Sequence, residues 1–109
     1  MSELDEIELH DGLIKCVNID FEAGSVAIYL TYYSGPDSRQ RVAAALFFEG
    51  VESISQTLSV TDVRKNVAAG NINYWVPGDV GGVTYIYVVN GCIAVTAKSL
   101  RFEVGVERS

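Results

Sequence analysis

The dipeptide Asn90-Gly91 constrains the fold of this chain more than any other feature. It separates two runs of alternating apolar residues, 83–89 and 92–97. Asn-Gly is the preferred dipeptide of a two-residue type I′ hairpin turn, because both central positions take a positive φ. The predicted inward-facing pairs are Val88 with Ile93, Ile86 with Val95, and Thr84 with Ala97. The tyrosines of the same hairpin are then predicted to project from the reverse face.

Alternation with a period of two continues upstream and predicts a three-stranded meander over residues 13–21, 26–33 and 39–48. The predicted inward residues are Val17, Ile19 and Phe21; then Val26, Ile28, Leu30 and Tyr32; then Val42, Ala44, Leu46 and Phe48. If residues 22–25 form the first loop, Phe21 faces Val26 and Ile19 faces Ile28.

Three shorter signals complete the strand prediction. Residues 53–60 alternate less regularly and are predicted to form a peripheral strand, and a further strand runs through Ile72, Tyr74 and Val76. Beyond Lys98 the apolar residues change phase, which predicts a β-bulge near Ser99.

One short helix is predicted over about residues 62–69. Thr61 and Asp62 supply an N-cap, Val63 and Val67 lie four residues apart, and Gly70 can end the helix in the left-handed conformation. The expected fold is therefore α+β and mostly β. It is either a curved antiparallel sheet or a small β-sandwich, with six to eight strands.

Length and composition predict a single domain over residues 1–109. A chain of this size buries roughly 60–70% of the surface that its unfolded form exposes. With 49% hydrophobic and 20% charged residues, the chain has enough apolar material for one core.

The formal net charge of −6 is concentrated near the N-terminus, at Glu3, Asp5, Glu6, Glu8 and Asp11. An acidic chain without a basic face is not expected to bind nucleic acid. It also has no long apolar run and no basic start followed by an apolar stretch, so we expect a cytoplasmic protein without a membrane partner. The acidic end either steers a basic partner or serves as a solubilising end.

Few residues of this sequence can carry chemistry. His10 is its only histidine, and His10 with Asp11 could form a cation site with neighbouring carboxylates or could instead be a turn. A dyad of Cys16 with His10 is disfavoured because Cys16 lies in an apolar strand, and both Cys16 and Cys92 are expected to be buried and apolar. The sequence identifies no catalytic set, no metal site and no cofactor motif.

The aromatic residues offer a second kind of site. Rings and guanidinium groups on the predicted outer faces are typical anchors of protein interfaces, and the residues concerned are Tyr29, Tyr33, Arg39, Arg41, Trp75, Tyr85 and Tyr87. The alternative is that a second sheet or the helix covers these rings.

Four segments resemble small bacterial proteins that include immunity-protein families of polymorphic toxin systems. They are residues 7–12 (Ile-Glu-Leu-His-Asp-Gly), 48–51 (Phe-Glu-Gly-Val), 70–72 (Gly-Asn-Ile) and 91–98 (Gly-Cys-Ile-Ala-Val-Thr-Ala-Lys). The resemblance implies a cytoplasmic, non-enzymatic antagonist of a cognate toxin.

Three functions therefore stay open at the level of sequence. The first is a non-enzymatic protein-binding domain, whose partner is another protein or a second copy of itself. The alternative is a small-molecule or metal-binding domain, or a weak enzyme, that uses His10 and nearby carboxylates. The third is a structural role in a larger assembly.

Overall fold

The computed structural model describes residues 3–65, 70–78 and 82–107. A 3₁₀ helix at Glu3–Glu6 precedes six strands and one α-helix. In chain order these are β1 (Leu13–Asp20), β2 (Ser25–Tyr32), β3 (Val42–Thr57), α1 (Val60–Lys65), β4 (Ile72–Val76), β5 (Val83–Val88) and β6 (Gly91–Val104).

All six strands belong to one open antiparallel sheet in the order β1-β2-β3-β6-β5-β4. The predicted meander forms one half and the β5–β6 hairpin with β4 forms the other. The long strands β3 and β6 pair with each other and join the halves. Buried side chains from β2 and from β5 belong to the same core cluster, so the sheet curves until its two ends face each other. The prediction of a mostly β fold with one short helix is confirmed.

The predicted inward faces of β2, β5 and β6 are confirmed residue by residue. Every second side chain along these strands is buried, because successive strand residues point to opposite faces. The buried set is Val26, Ile28, Leu30 and Tyr32 of β2, Thr84, Ile86 and Val88 of β5, and Ile93, Val95 and Ala97 of β6.

The predicted pairing of the β5–β6 hairpin is wrong by two residues, although its faces are right. Ile86 pairs with Ile93 and Val88 pairs with Gly91, so Val89 and Asn90 form the turn. Only Asn90 has a positive φ there, at 55°. Gly91 instead starts β6, where a Cβ atom would lie 2.1 Å from the backbone oxygen of Thr57. The glycine thus permits a close approach of β3 rather than a type I′ turn.

The first hairpin shows a shift of the same size. Val17 pairs with Ile28 and Ile19 with Val26, so the loop is residues 21–24 and not 22–25. Phe21 lies in this loop with 87% of its side chain exposed, which contradicts its predicted place in the core.

Residues 53–60 do not form a separate peripheral strand. Residues up to Thr57 continue β3 and pair with β6 in the middle of the sheet. The bulge predicted near Ser99 is also wrong, because the register shift lies in β3 between Val51 and Ser53. The inward side of β6 does change along the strand: the odd-numbered residues 93–97 are buried, whereas Leu100 and Phe102 are the less exposed residues beyond them. Gly50, which has a φ of 61°, lies on β3 opposite this change.

Helix α1 begins at Val60, and its N-cap is Ser59 rather than Thr61 or Asp62. The Ser59 hydroxyl accepts a hydrogen bond from the backbone N–H of Asp62 at 3.3 Å. The predicted end of the helix, residues 66–69, lies outside the described residues.

A side-chain contact connects α1 to the β5–β6 turn. The amide of Asn90 donates to Oδ2 of Asp62 at 3.0 Å. This hydrogen bond and one from Ser59 hold the pKa of Asp62 below its ordinary value. A carboxyl whose pKa is lowered by folding contributes stability at neutral pH and loses it as the pH falls through the folded-state pKa.

The Asn90→Gly variant tests this contact. Glycine accepts the positive φ of the turn but supplies no amide donor, so we expect the pKa of Asp62 to rise towards its ordinary value. An NMR titration of the Asp62 carboxyl carbon measures the change, with Asn18→Gly on β1 as the control. An unchanged pKa of Asp62 in Asn90→Gly would show that the Asn90 amide does not stabilise its charged form.

The two edges of the sheet meet at one end. The backbone N–H of Asp11 donates to the carbonyl of Ile72, and the carbonyl of Gly12 accepts from Asn71 and Ile72, at 2.9 to 3.0 Å. Asn71 is 2% exposed, and its side chain accepts from Ile14 N at 2.9 Å and donates to Val63 O at 3.3 Å. This residue therefore joins β1, α1 and β4.

Candidate functional site

Three tyrosines form a stack on the outer face of β4 and β5. The ring centroids of Tyr74 and Tyr87 are 4.5 Å apart at an interplanar angle of 21°, and those of Tyr85 and Tyr87 are 6.1 Å apart at 15°. We call Tyr74, Tyr85 and Tyr87 the tyrosine ladder. Tyr85 is 38% exposed and Tyr87 is half-buried, and both alternate with buried residues of β5, so the prediction that the tyrosines of the hairpin project away from the core is confirmed. Tyr74, in β4, is 52% exposed. Partial desolvation and the neighbouring Tyr74 raise the pKa of Tyr87, which keeps its phenol neutral.

The sheet surface around the ladder carries no charged side chain among its cross-strand partners. Tyr85 pairs with Ala94, which pairs with Ser55, and Tyr87 pairs with Cys92, which pairs with Thr57. The same face also presents Val76, Val83, Thr96 and Ser53. Tyrosine with small hydroxyl residues is the composition of many binding surfaces, because the rings supply contact area at a low cost in side-chain entropy.

Trp75 does not belong to this surface. It is 8% exposed, and its indole Nε1 donates to the carbonyl of Ile7 at 2.8 Å. The cause is an extra residue, Asn73, where the β4–β5 register shifts between Ile72 and Tyr74. This shift turns Trp75 into the core and Tyr74 outward, the reverse of strict alternation. Nothing in the local sequence indicates this extra residue, so strict alternation could not assign Tyr74 to the outer face.

The acidic N-terminal segment, defined as residues 5–11, runs along the free side of β4. Three hydrogen bonds place it there: Asp11 N to Ile72 O at 2.9 Å, His10 Nδ1 with Asn73 O at 2.7 Å, and Trp75 Nε1 to Ile7 O at 2.8 Å. Leu9 is buried and Ile7 half-buried, so the alternate carboxylates of Glu6 and Glu8 face outward. The segment thus brings exposed negative charge to the free side of β4, the strand that bears Tyr74.

The other predicted binding residues lie elsewhere. Tyr29 packs edge to face on Phe47 at 6.2 Å, on the outer side of β2 and β3, where the Arg101 guanidinium lies 4.5 Å from the Phe47 ring centroid. Arg41 lies 4.9 Å from the centroid of Tyr33 and donates from Nε to the carbonyl of Asp11 at 2.9 Å. Arg39 is exposed in the connection between β2 and β3. The structure therefore distributes the seven predicted binding residues over several places.

His10 and Asp11 line a cleft of about 650 Å³ between the N-terminal segment and the turn after β2. The Nε2 atom of His10 lies 3.5 Å from Oδ1 of Asp11, and Oε1 of Glu8 accepts from the backbone N–H of His10 at 2.9 Å. A volume of this size lies within the usual range of small-molecule sites, roughly 300–1,000 Å³.

Metal and thiol chemistry find little support in the side-chain arrangement. Within residues 3–65, 70–78 and 82–107, no three His, Cys, Asp or Glu side chains are grouped to hold a metal ion. Cys16 and Cys92 are free and half-buried, not buried as predicted, and both lie on outer faces of the sheet. Cys16 lines a different cleft from that of His10 and contacts Asn18 Oδ1 at 3.5 Å.

Neither short helix in the described part of the chain is long and apolar enough to cross a membrane. The comparisons with known proteins identify no relative. The chain matches no protein-family model, no curated protein and no solved structure.

Proposed function

We propose that this chain is a non-enzymatic protein-binding domain that recognises a basic surface of a partner protein. One observation carries the proposal: the acidic N-terminal segment lies along β4, the strand that also bears Tyr74 of the tyrosine ladder. An uncharged aromatic surface with an acidic segment along its edge strand resembles the apolar centre and polar rim of protein interfaces.

The stacking of the ladder favours a protein over a carbohydrate. A sugar ring packs on the open face of an aromatic side chain, but the faces of Tyr87 are turned towards Tyr74 and Tyr85. The central ring, Tyr87, therefore presents its edge and its hydroxyl group. Phenol hydroxyls both donate and accept hydrogen bonds, which suits the mixed polar groups of a protein surface.

Charge favours a basic partner. Asp5, Glu6, Glu8 and Asp11 are exposed in the acidic N-terminal segment, and no Lys or Arg occurs between them. Rim charges of one sign accelerate association with a partner of the opposite sign and discriminate against partners of the same sign. Antagonism of a cognate toxin, the role implied by the resemblance of residues 7–12 and the three other segments, is the specific form of this proposal.

The test compares a ladder variant, Tyr74→Ser/Tyr85→Ser/Tyr87→Ser, with the unchanged protein in affinity capture and in binding to the purified captured partner. We expect a basic partner whose affinity falls at least about tenfold in the ladder variant, because tyrosines are frequent anchors of binding energy. Higher salt should weaken binding, and Glu6→Gln/Glu8→Gln should reduce this salt dependence.

Two matched controls accompany the test. Tyr29→Ser removes a tyrosine from the outer side of β2, in the other half of the sheet. Glu22→Gln/Glu52→Gln removes two negative charges near the β1–β2 loop, as many as Glu6→Gln/Glu8→Gln removes. Equal affinity of the ladder variant and Tyr29→Ser for the partner would refute the proposed surface. A different result is that the capture recovers only the chain itself and light scattering shows a dimer that the ladder variant abolishes. That result would assign the same surface to self-association instead.

A further inference from the structure

The cleft beside His10 has one wall made by the N-terminal segment and another made by the end of β2 and the turn that follows. Its lining includes the carboxylates of Glu6, Glu8 and Asp11 and the apolar groups of Ile7, Tyr33 and Pro36. Among the described residues that line it, none is Lys or Arg. The cleft therefore combines carboxylates and apolar groups in one lining.

Tyr32 supplies an independent feature of the same cleft. Its side chain is 8% exposed and packs edge to face on Phe102 at 5.2 Å, yet it also lines the cleft. Desolvation by burial raises the pKa of Tyr32, so the phenol is neutral at physiological pH, and no hydrogen bond contributes to the shift. In the described part of the chain, every fully buried side-chain oxygen or nitrogen has a hydrogen-bond partner. The Tyr32 hydroxyl has no partner among the described residues, so it is not fully buried and reaches open space. The cleft is the open space that Tyr32 lines.

The Tyr32 hydroxyl has no partner within the residues that the structure describes and is accessible from the cleft, so it can hydrogen-bond to a bound ligand. Its oxygen accepts hydrogen bonds, and the nearby carboxylates of Glu6, Glu8 and Asp11 favour a positively charged donor. Arg41 is already engaged, since it lies on Tyr33 and donates to the carbonyl of Asp11. The described residues that line the cleft therefore carry three carboxylates and, apart from His10, no basic side chain.

We propose that this cleft binds a primary alkylammonium ion, with the ammonium group at the Tyr32 hydroxyl and the carboxylates of Glu6 and Glu8, and the alkyl chain along Ile7, Tyr33 and Pro36. The ion is either a free amine or the side chain of a lysine. The inference does not depend on the tyrosine ladder, which lies on the outer face of β4 and β5.

The experiment is an NMR titration of the full chain at neutral pH with three probes of similar size. The probes are n-pentylammonium chloride, neutral 1-pentanol and pentyltrimethylammonium chloride. We expect n-pentylammonium to shift the amide signals of the residues that line the cleft and to bind at least about fivefold more tightly than 1-pentanol. The quaternary ion keeps the charge but has no N–H donor, so it should bind more weakly than the primary ion.

Two variants locate the interaction. Tyr32→Phe keeps the ring packed on Phe102 and removes only the hydroxyl, so the affinity for n-pentylammonium should fall about fivefold while that for the quaternary ion stays unchanged. Glu6→Gln/Glu8→Gln should weaken both cations by about fivefold. Tyr29→Phe and Glu22→Gln/Glu52→Gln are the matched controls and should change neither affinity. A melting curve of each variant verifies that it folds.

Equal binding of n-pentylammonium and 1-pentanol would overturn the proposal, as would signal shifts outside the cleft or equal losses of affinity in Tyr32→Phe and Tyr29→Phe.

A lysine-containing peptide and its acetyl-lysine counterpart distinguish the two sources of the ammonium group. Binding of the peptide that acetylation abolishes assigns the cleft to a lysine side chain, and binding of n-pentylammonium alone assigns it to a free amine. The ladder variant should retain cleft binding, so failure of one proposal leaves the other testable.

Discussion

Replacement of Asn71 by alanine is expected to lower the free energy of unfolding by about 3 kcal/mol, because two partly buried backbone groups lose the partner that a buried side chain supplies. The side-chain oxygen of Asn71 accepts from Ile14 N, and its nitrogen donates to Val63 O. With Asn71 only 2% exposed, water has little access to take over these bonds. The loss separates β1, α1 and β4 at the end where the two edges of the sheet meet.

Chemical denaturation measures the change, and hydrogen exchange at the Ile14 amide locates it. Asn71→Asp retains an acceptor for Ile14 N but loses the donor to Val63 O and buries a charge, so it should also be destabilised. Asn18→Ala removes an exposed asparagine of β1 and should cost less than about 0.5 kcal/mol. If Asn71→Ala were as stable as Asn18→Ala, the bonds of Asn71 would not hold this end of the sheet together.

Gly91→Ala is expected to destabilise the protein by a similar amount, about 3 kcal/mol, through overpacking. The added Cβ would lie 2.1 Å from the backbone oxygen of Thr57, so β3 and β6 would have to separate where they pair. The backbone conformation is not the obstacle, because Gly91 does not have a positive φ. Thermal and chemical denaturation give the magnitude, and exchange of the β6 amides shows where pairing weakens.

Gly35→Ala is the matched control. Gly35 also lacks a positive φ, and its added Cβ would meet only Ser38 Oγ at 3.8 Å, an ordinary contact. We expect this variant to be neutral or to gain up to about 1 kcal/mol, because alanine restricts the unfolded chain. Should Gly91→Ala match Gly35→Ala in stability, the close approach at Thr57 would not be the reason for glycine at position 91.

Alternation along the chain was enough to predict which faces of β2, β5 and β6 are buried. A shift of pairing by two residues leaves every side chain on the same face, so both hairpins could be misaligned without changing the inward set. The hairpin tyrosines Tyr85 and Tyr87 point outward for the same reason. Register depends instead on turn geometry and on contacts with a third strand, such as that of Gly91 with Thr57.

The site was only partly predictable. Strict alternation placed Trp75 outside and left Tyr74 out of the binding set, because the extra residue Asn73 in β4 has no local signal. His10 and Asp11 were recognised as unusual residues, but their cleft needs Tyr32 and Tyr33 from the end of β2. Two segments that are separate in the chain, residues 6–11 and 32–38, meet there, and the local sequence of neither indicates the contact.

The amino-acid sequence by itself determined the class of fold, the face that each regular strand buries, and the concentration of negative charge near the N-terminus. These are local properties, since they follow from side-chain periodicity and residue type. Tertiary structure alone decided the register of the hairpins, the burial of Trp75, and the position of the acidic N-terminal segment along β4. Each of these depends on hydrogen bonds and close contacts between residues far apart in the chain, which form only when the sheet curves and its edges meet.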